Sequence, residues 1–397
     1  MLTEAKRRGL ADLPPLVSDS LLALIAMANA DTRPDKIDVG VGVYRDGEGR
    51  TPIMAAVRKA EEGLHASQET KSYLGGVGDK RFADLLRPIV LGAHADDDRI
   101  VGLQTPGGCG ALFLALRLIA AANPEARVFM GTPTWLNHPP MTRGARLEIA
   151  EYRHYDPVAR AIDFGAMIAA LEGARPGDVA LLHACCHNPT GADLSEDQWR
   201  EVVRVVSERG LIPLIDFAYQ GFGRGLEADR FGVELMLEAC DEVLITQSCD
   251  KNFAVYRDRV GCLFVKAPSA DLARFSLTHI LQIAREAWSM PPDHGAACVR
   301  IVLDEPDLRA EWHAELEAMH GRIRMVREKI AGADPRLAYI AEQQGMFSML
   351  PLSVEQVKKL RSDHSIYMTD NARANLVGIA DNGLDRFCAA IVEAMNG

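Results

Sequence analysis

The sequence predicts an α/β protein, with a mainly parallel central sheet, helices on both faces and a smaller α+β domain. Three observations carry this. Between about residues 127 and 250, short apolar runs alternate with helix-length amphipathic segments, the pattern of repeated βαβ units. At 397 residues the chain exceeds what one small core supports, so two domains or a domain with a lobe are expected. Polar residues with chemical uses fall just after several of the apolar runs, where the C-terminal edge of an open parallel sheet binds ligands.

Composition narrows the function classes. With 48% hydrophobic and 25% charged residues, and no run apolar enough to cross a bilayer, neither disorder nor a membrane span is expected. The 55 acidic residues against 44 basic ones give a formal charge of -11, which disfavours nonspecific binding to nucleic acid and favours small-molecule partners. The start, Met1 to Arg8, lacks a secretory pattern, and the eight cysteines have no CxxC pair or disulfide-rich spacing. A cytoplasmic protein with reduced thiols is expected. His183-Ala184-Cys185-Cys186-His187 gathers metal-capable side chains, but neighbours in a strand alternate faces and no second ligand pair follows, so no metal is expected.

In chain order, Pro14-Pro15 precede an apolar run, Leu21–Met27, that reads as an arm followed by a short helix. Ile37–Tyr44 alternates β-branched residues with glycines and reads as a strand whose backbone can be approached closely. A helix is expected from Ala55 to about Ala66, then a Gly-rich loop, Lys71–Gly78, carrying Tyr73. Gln104–Ala111 is a glycine loop opening an apolar helix that stops at Asn123-Pro124. Such a helix start aims unpaired N–H groups and the positive dipole end at an anion. It matches neither GxxxxGK[ST] nor GxGxxG, so a nucleoside triphosphate or dinucleotide is disfavoured, and a plain turn stays open.

Strands are expected at Arg127–Gly131, Val179–Ala184, Leu211–Ile215 and Val243–Gln247. The third delivers Asp216 and the fourth delivers Lys251. Ser195–Gln198 is a capping box starting a helix towards Gly210, and Gly221–Gly225 is a loop. The pair Pro291-Pro292 makes a turn before a long amphipathic helix from about Glu305 to Ile330. The remainder, including Gly345–Leu350, a helix from Ser353 and Ala372–Leu376, reads as the smaller lobe. The stretch Gln247–Gly261 places Lys251 between Ser248 and Arg259, an amine nucleophile beside two groups suited to phosphate. On residue types alone a solvated basic loop is the default for it; the other strand-end residues shift that balance.

Four motifs together, Cys185–Gly191, Asp216–Phe222, Lys251-Asn252-Phe253 with Arg259-Val260-Gly261, and Asn371-Ala372-Arg373, resemble the aspartate and aromatic amino acid aminotransferases. Those are pyridoxal-phosphate enzymes of fold type I, and the resemblance covers essentially the whole chain. It implies a large domain at 53–317, a small domain at 15–52 and 318–397, and an N-terminal arm at 1–14. It implies pyridoxal 5'-phosphate held by Lys251 as a Schiff base in a ping-pong cycle, with Lys251 also shuttling the Cα proton. By the same resemblance, Asp216 keeps the pyridine nitrogen protonated, and Asn188 and Tyr219 donate to the ring's phenolic oxygen. Trp135 stacks on the ring, while His138 and His187 lie behind it. The phosphate cup corresponds to Gly107, Gly108, Cys109, Ser248 and Arg259, with Tyr73 crossing from a second subunit of a homodimer. Arg373 is implied to pair with the substrate α-carboxylate, helped by Asn188 and the Gly42 backbone. Arg285 of the partner subunit would meet a side-chain carboxylate. Cis peptides are implied at Thr132-Pro133 and Asn188-Pro189.

Departures from that pattern bear on substrate. Ser72 and Met290 stand where aspartate-selective members carry asparagine, and Trp288 replaces a tyrosine, whereas Val43, Arg45 and Thr51 stay near the aspartate pattern. The less polar rim leads to an expectation of acidic and aromatic amino acids both being used, with 2-oxoglutarate. The alternatives are a strict aspartate aminotransferase, or a lyase or decarboxylase on the same fold. Cys109 replaces a threonine and is a poorer donor. Asp250 replaces Ser or Ala beside Lys251, and either raises the lysine's pKa or faces solvent.

Overall fold

The computed structural model of the chain describes residues 10, 13 and 20–397. The expected arm, residues 1–14, thus lies outside the described residues apart from Leu10 and Leu13. Seven strands form the central sheet: β1 (Ile100–Pro106), β2 (Arg127–Thr132), β3 (Glu148–Arg153), β4 (Val179–His183), β5 (Ile212–Phe217), β6 (Val243–Ser248) and β7 (Val260–Lys266). Their order across the sheet is β1-β7-β6-β5-β4-β2-β3. Strand β7 pairs antiparallel with both neighbours, and the remaining pairs are parallel.

Both faces of the sheet are buried, as parallel strands require. Along β4, Val179 and Leu181 join one apolar cluster while Ala180 and Leu182 join the other. Leu214 and Ile215 of β5 divide the same way. The first cluster is covered by α1 (Gly107–Ala122) and by Ile280, Ile283 and Ala284 of the helix Ala270–Ala287. On the opposite face α2 (Glu196–Arg209) packs Trp199, Val202 and Val206. The capping box at Ser195 and Gln198 is formed, and Gly210 ends α2 at φ 63, the left-handed conformation that suits glycine.

Strand β5 extends through Phe217, so Asp216 sits inside the strand's last turn of hydrogen bonds instead of following it. The Ile37–Tyr44 segment differs more from expectation, since only Ile37–Asp38 is strand, paired with Ile366–Tyr367. Val39 is still held by backbone, its N–H donating to the Tyr367 carbonyl at 2.9 Å and its carbonyl accepting the Asn375 N–H at 2.7 Å, and side chains take the carbonyls that follow. Asn375 Nδ2 donates to the Val41 and Val43 carbonyls at 2.7 Å each, and Arg373 Nη2 donates to the Gly40 carbonyl at 2.6 Å. In the smaller lobe, Phe347–Met349 pairs antiparallel with Arg373–Asn375. The helix α3 (Pro306–Ala331) is unbroken across residues 317 and 318, where a domain boundary is expected. Both peptide bonds Thr132-Pro133 and Asn188-Pro189 are cis.

Behind the C-terminal edge of β4 lies a layer of imidazoles. His154 and His187 stack with centroids 3.9 Å apart, His187 meets His183 edge-on at 4.2 Å, and His183 lies 5.1 Å from His138. Burial pushes His183 down to about 3 and His154 down to about 4, and holds His187 well below its usual value. These rings are neutral when folded but titrate near pH 6.5 when unfolded. Their folded values are depressed, so acid favours the unfolded chain, and stability is lost as pH falls through 6.5. Between pH 7 and pH 5 each ring should remove about 2 kcal/mol of unfolding free energy. Urea unfolding at the two pH values checks this, and His154→Gln should flatten the dependence.

Candidate active site

The strand ends converge on a cavity of about 280 Å³ lined by residues of both lobes. At its base lies Asp216, 5% exposed. Its Oδ2 is 3.0 Å from His138 Nε2, and His138 Nδ1 is 2.8 Å from Thr134 Oγ1. A carboxylate can only accept, so His138 donates to Asp216 from Nε2, and the Thr134 contact at Nδ1 orients the ring. Burial alone would raise the Asp216 carboxyl; the His138 hydrogen bond and nearby positive charge, Lys251 included, outweigh it, and the net shift is downward. Asp216 therefore stays ionised at neutral pH.

Lys251 follows β6, and its Nζ stands 5.3 Å from the centroid of the Tyr219 ring. The Tyr219 hydroxyl accepts from Asn188 Nδ2 at 3.2 Å, and burial pushes its pKa up, so it remains a phenol. Asn188 Oδ1 is buried with no partner among the described residues, and so is Arg373 Nε. The Arg373 guanidinium lies 4.9 Å over the Phe347 ring, whose edge also meets Tyr219. Gly42 closes this end, since a Cβ there would sit 2.9 Å from Phe347 Cζ. Trp135 meets His138 edge-on at 5.2 Å and lines the cavity wall.

The opposite end is an anion cup. Helix α1 starts at Gly107, and Gly108, Cys109, Ser248 and Arg259 line the cavity around that start. Gly107 has φ +69, and a Cβ there would lie 2.5 Å from Arg259 Nη2. At Gly261 a Cβ would lie 2.5 Å from the Gly107 carbonyl carbon, so β7 and the turn touch backbone to backbone. Free N–H groups, a helix dipole and a guanidinium then face one point.

Eleven of the residues expected from sequence line this cavity: Gly42, Gly108, Cys109, Trp135, Asn188, Asp216, Tyr219, Ser248, Lys251, Arg259 and Arg373. Gly107 and His138 support it from behind. His187 belongs to the imidazole layer. Tyr73, 89% exposed, and Arg285, exposed in the last turn of Ala270–Ala287, lie outside it. Phe347, Tyr256 and Leu112 line it without having been singled out. Phe347 and Leu112 carry no sequence signal beyond apolarity, shared with any core residue, and Tyr256 adds a hydroxyl that accepts the Tyr44 N–H at 2.8 Å. Asp250 is buried in the cup wall and does not face solvent.

Comparison with known proteins places the chain in a family. The family model for aminotransferase class I and II matches residues 34–391. The tyrosine aminotransferase of Rhizobium meliloti (strain 1021) is 47% identical over 365 residues, covering 91% of this chain and 94% of that protein. The aspartate aminotransferase of Escherichia coli (strain K12) is 38% identical over 388 residues, covering 95% and 98%. The crystal structure of an aromatic-amino-acid aminotransferase from Burkholderia pseudomallei, covalently bound to pyridoxal phosphate, superposes with TM-score 0.94 at 37% identity, covering 98% of this chain and all of that one. With a match across nearly its whole length and a strand-end cavity built around a lysine and a buried carboxylate, the chain belongs to the class I and II aminotransferases.

Proposed function

We propose that this aminotransferase uses pyridoxal 5'-phosphate to move amino groups between acidic or aromatic amino acids and 2-oxoglutarate, as a homodimer with shared sites. The observation that carries the reading is one cavity holding, in sequence, an anion cup, an amine, a buried ionised carboxylate and an unpaired guanidinium nitrogen. The donor set fits the cofactor. The cup suits a phosphate ester, Asp216 suits a protonated ring nitrogen, and the partnerless Asn188 Oδ1 and nearby Tyr219 hydroxyl suit polar groups on the ring and substrate.

When bound, the cofactor supplies an aldehyde that takes up the amino group and a ring that accepts the electron pair released at Cα. The chain's residues do the rest. Arg373 binds the substrate α-carboxylate; burial lowers its pKa, with no effect on its charge at neutral pH. Lys251 Nζ is placed to take the proton from the substrate Cα and, with the cofactor bound, would deliver it to the former aldehyde carbon, a transfer that needs a neutral amine. Asp216 holds positive charge at the base of the cavity because its own charge cannot be relieved by solvent. Phe347 and Trp135 exclude water from that end.

Substrate range rests on the rim. Met290 Sδ accepts from the Leu74 N–H at 3.1 Å, and Trp288 Nε1 is buried without a partner among the described residues as its ring packs 5.8 Å from Phe113. Thioether and indole leave few polar groups to hold Arg285 in one place, which supports acceptance of a phenyl ring as well as a carboxylate. Exposure of Tyr73 and Arg285 supports their service in a partner's cavity.

Three outcomes test this. Lys251→Ala should lose about 10⁴-fold or more in turnover while retaining the fold, checked by single-turnover absorbance. Arg373→Leu should lower kcat/KM about 100-fold for every amino acid, since it removes a charge-assisted pair. Arg285→Ala should lower kcat/KM for aspartate about 100-fold yet leave phenylalanine within about threefold. Steady-state assays with 2-oxoglutarate read both; a wild-type protein active on aspartate and inert towards phenylalanine and tyrosine would sink the dual range.

A further inference from the structure

The anion cup contains a charge that the proposed chemistry does not use. Asp250 is 4% exposed, yet it lies on the cavity wall beside Lys251. Its Oδ2 pairs with Arg259 Nη1 and its Oδ1 accepts the Val260 N–H at 3.3 Å. Its own N–H donates to Ser248 Oγ at 3.3 Å. Neither carboxylate oxygen is bonded to Lys251. The carboxylate is therefore committed to the cup. A Cβ on Gly107 would meet Arg259 Nη2 at 2.5 Å and Asp250 Oδ2 at 3.3 Å, so glycine turn, guanidinium and carboxylate meet at one place.

Two consequences follow from this arrangement. Arg259 has φ 57, a conformation costly to a residue with a side chain, and its Nη1 is taken by Asp250 and the Tyr256 carbonyl, the latter at 3.2 Å. Nη2 is left for a ligand. At the same time the guanidinium's charge is cancelled by the carboxylate before any phosphate arrives. We propose that Asp250 is a positioning residue and an internal anion of the cup: it holds Arg259 so that Nη2 faces the cavity, and its negative charge weakens binding of a phosphate dianion. Phosphate shares Arg259 with Asp250 and is held chiefly by the Gly108 and Cys109 N–H groups, so cofactor leaves more readily than from a cup lacking the carboxylate.

This rests on the reading that the cavity takes pyridoxal phosphate, and the test separates the two. Cofactor-free protein is titrated by fluorescence with pyridoxal phosphate and with phosphate-free pyridoxal, for wild type, Asp250→Asn and Asp250→Ser, each checked for fold by circular dichroism. Asparagine keeps an acceptor for Arg259 while removing the charge, so its Kd for pyridoxal phosphate should fall about tenfold or more, about 1.4 kcal/mol. Serine should shift it the same way by less. Pyridoxal affinity should stay within about twofold in both, because the effect runs through the phosphate. Inorganic phosphate should compete more strongly in Asp250→Asn than in wild type.

Equal or weaker binding of pyridoxal phosphate by folded Asp250→Asn overturns the proposal, as does an equal shift for pyridoxal, which marks a merely structural effect. If both variants unfold, wild type decides: a preference for pyridoxal phosphate over pyridoxal above about 1000-fold means the cup is not weakened and overturns it, and a smaller one supports it. Wild type that takes up neither compound sinks the functional reading with it, whereas wild-type uptake without a change in Asp250→Asn sinks this inference alone.

Discussion

The site depends on keeping the Asp216 carboxylate charged inside the protein. Desolvating a carboxylate costs several kcal/mol unless hydrogen bonds and opposite charge compensate. Here the compensation comes from two segments, residues 134–138 and the turn after β6. His138 donates across the end of the sheet, Thr134 fixes that ring's orientation, Lys251 contributes positive field from the next strand, and β4 and β6 flank β5 on either side. The imidazoles behind His138 are neutral because they are buried, so they occupy volume without competing for the charge. A sheet position gives this arrangement its rigidity: strand backbones cannot slide to solvate Asp216, and the charge is available to a ligand in the cavity.

The second lobe reaches the same cavity through Arg327. This guanidinium, 2% exposed on α3, donates to the carbonyls of Ile340, Gln344, Gly345 and Phe347. Burial lowers its pKa to about 10, still charged at neutral pH. Four carbonyls answering one cation bend the chain around it, and the residue at the end of the bend is Phe347. Phe347 in turn touches Gly42, Arg373 and Tyr219. Packing of α3 thus sets the distance between Arg373 and the Asn188–Tyr219 side of the cavity, with no direct contact between α3 and the cavity needed.

Much of this was legible in the sequence for a physical reason. Residues that end strands are marked locally: Asp216 follows an apolar run, Lys251 lies four residues past another, and Gly107-Gly108 open a helix. The capping box at Ser195 was readable because its partners are three residues apart. What was not legible depended on distant segments. The Ile37–Tyr44 pattern looked like one strand, but pairing exists only where Ile366–Tyr367 is available, and farther on Asn375 and Arg373 take the backbone carbonyls. Phe347 was indistinguishable from core. Asp250 could be read as solvent-facing because its partner, Arg259, is set by the fold of the intervening loop. Tyr73 and Arg285 differ again, since one chain places them outside its own cavity.

The antiparallel strand β7 explains how lysine and arginine come to share a cup. Strand β6 ends at Ser248 and β7 begins at Val260, so the intervening segment leaves and returns at the same edge of the sheet. Lys251 lies on its outgoing arm and Arg259 on its return. A parallel crossover would need a dozen or more residues and would begin its next strand at the opposite edge, far from the start of α1. By reversing, the chain also runs Gly261 against Gly107, where a Cβ on Gly261 would lie 2.5 Å from the Gly107 carbonyl carbon. The one strand that breaks the parallel pattern is thus the one that closes the anion cup, and Asp250, bonded to the first residues of that strand, fixes where the return begins.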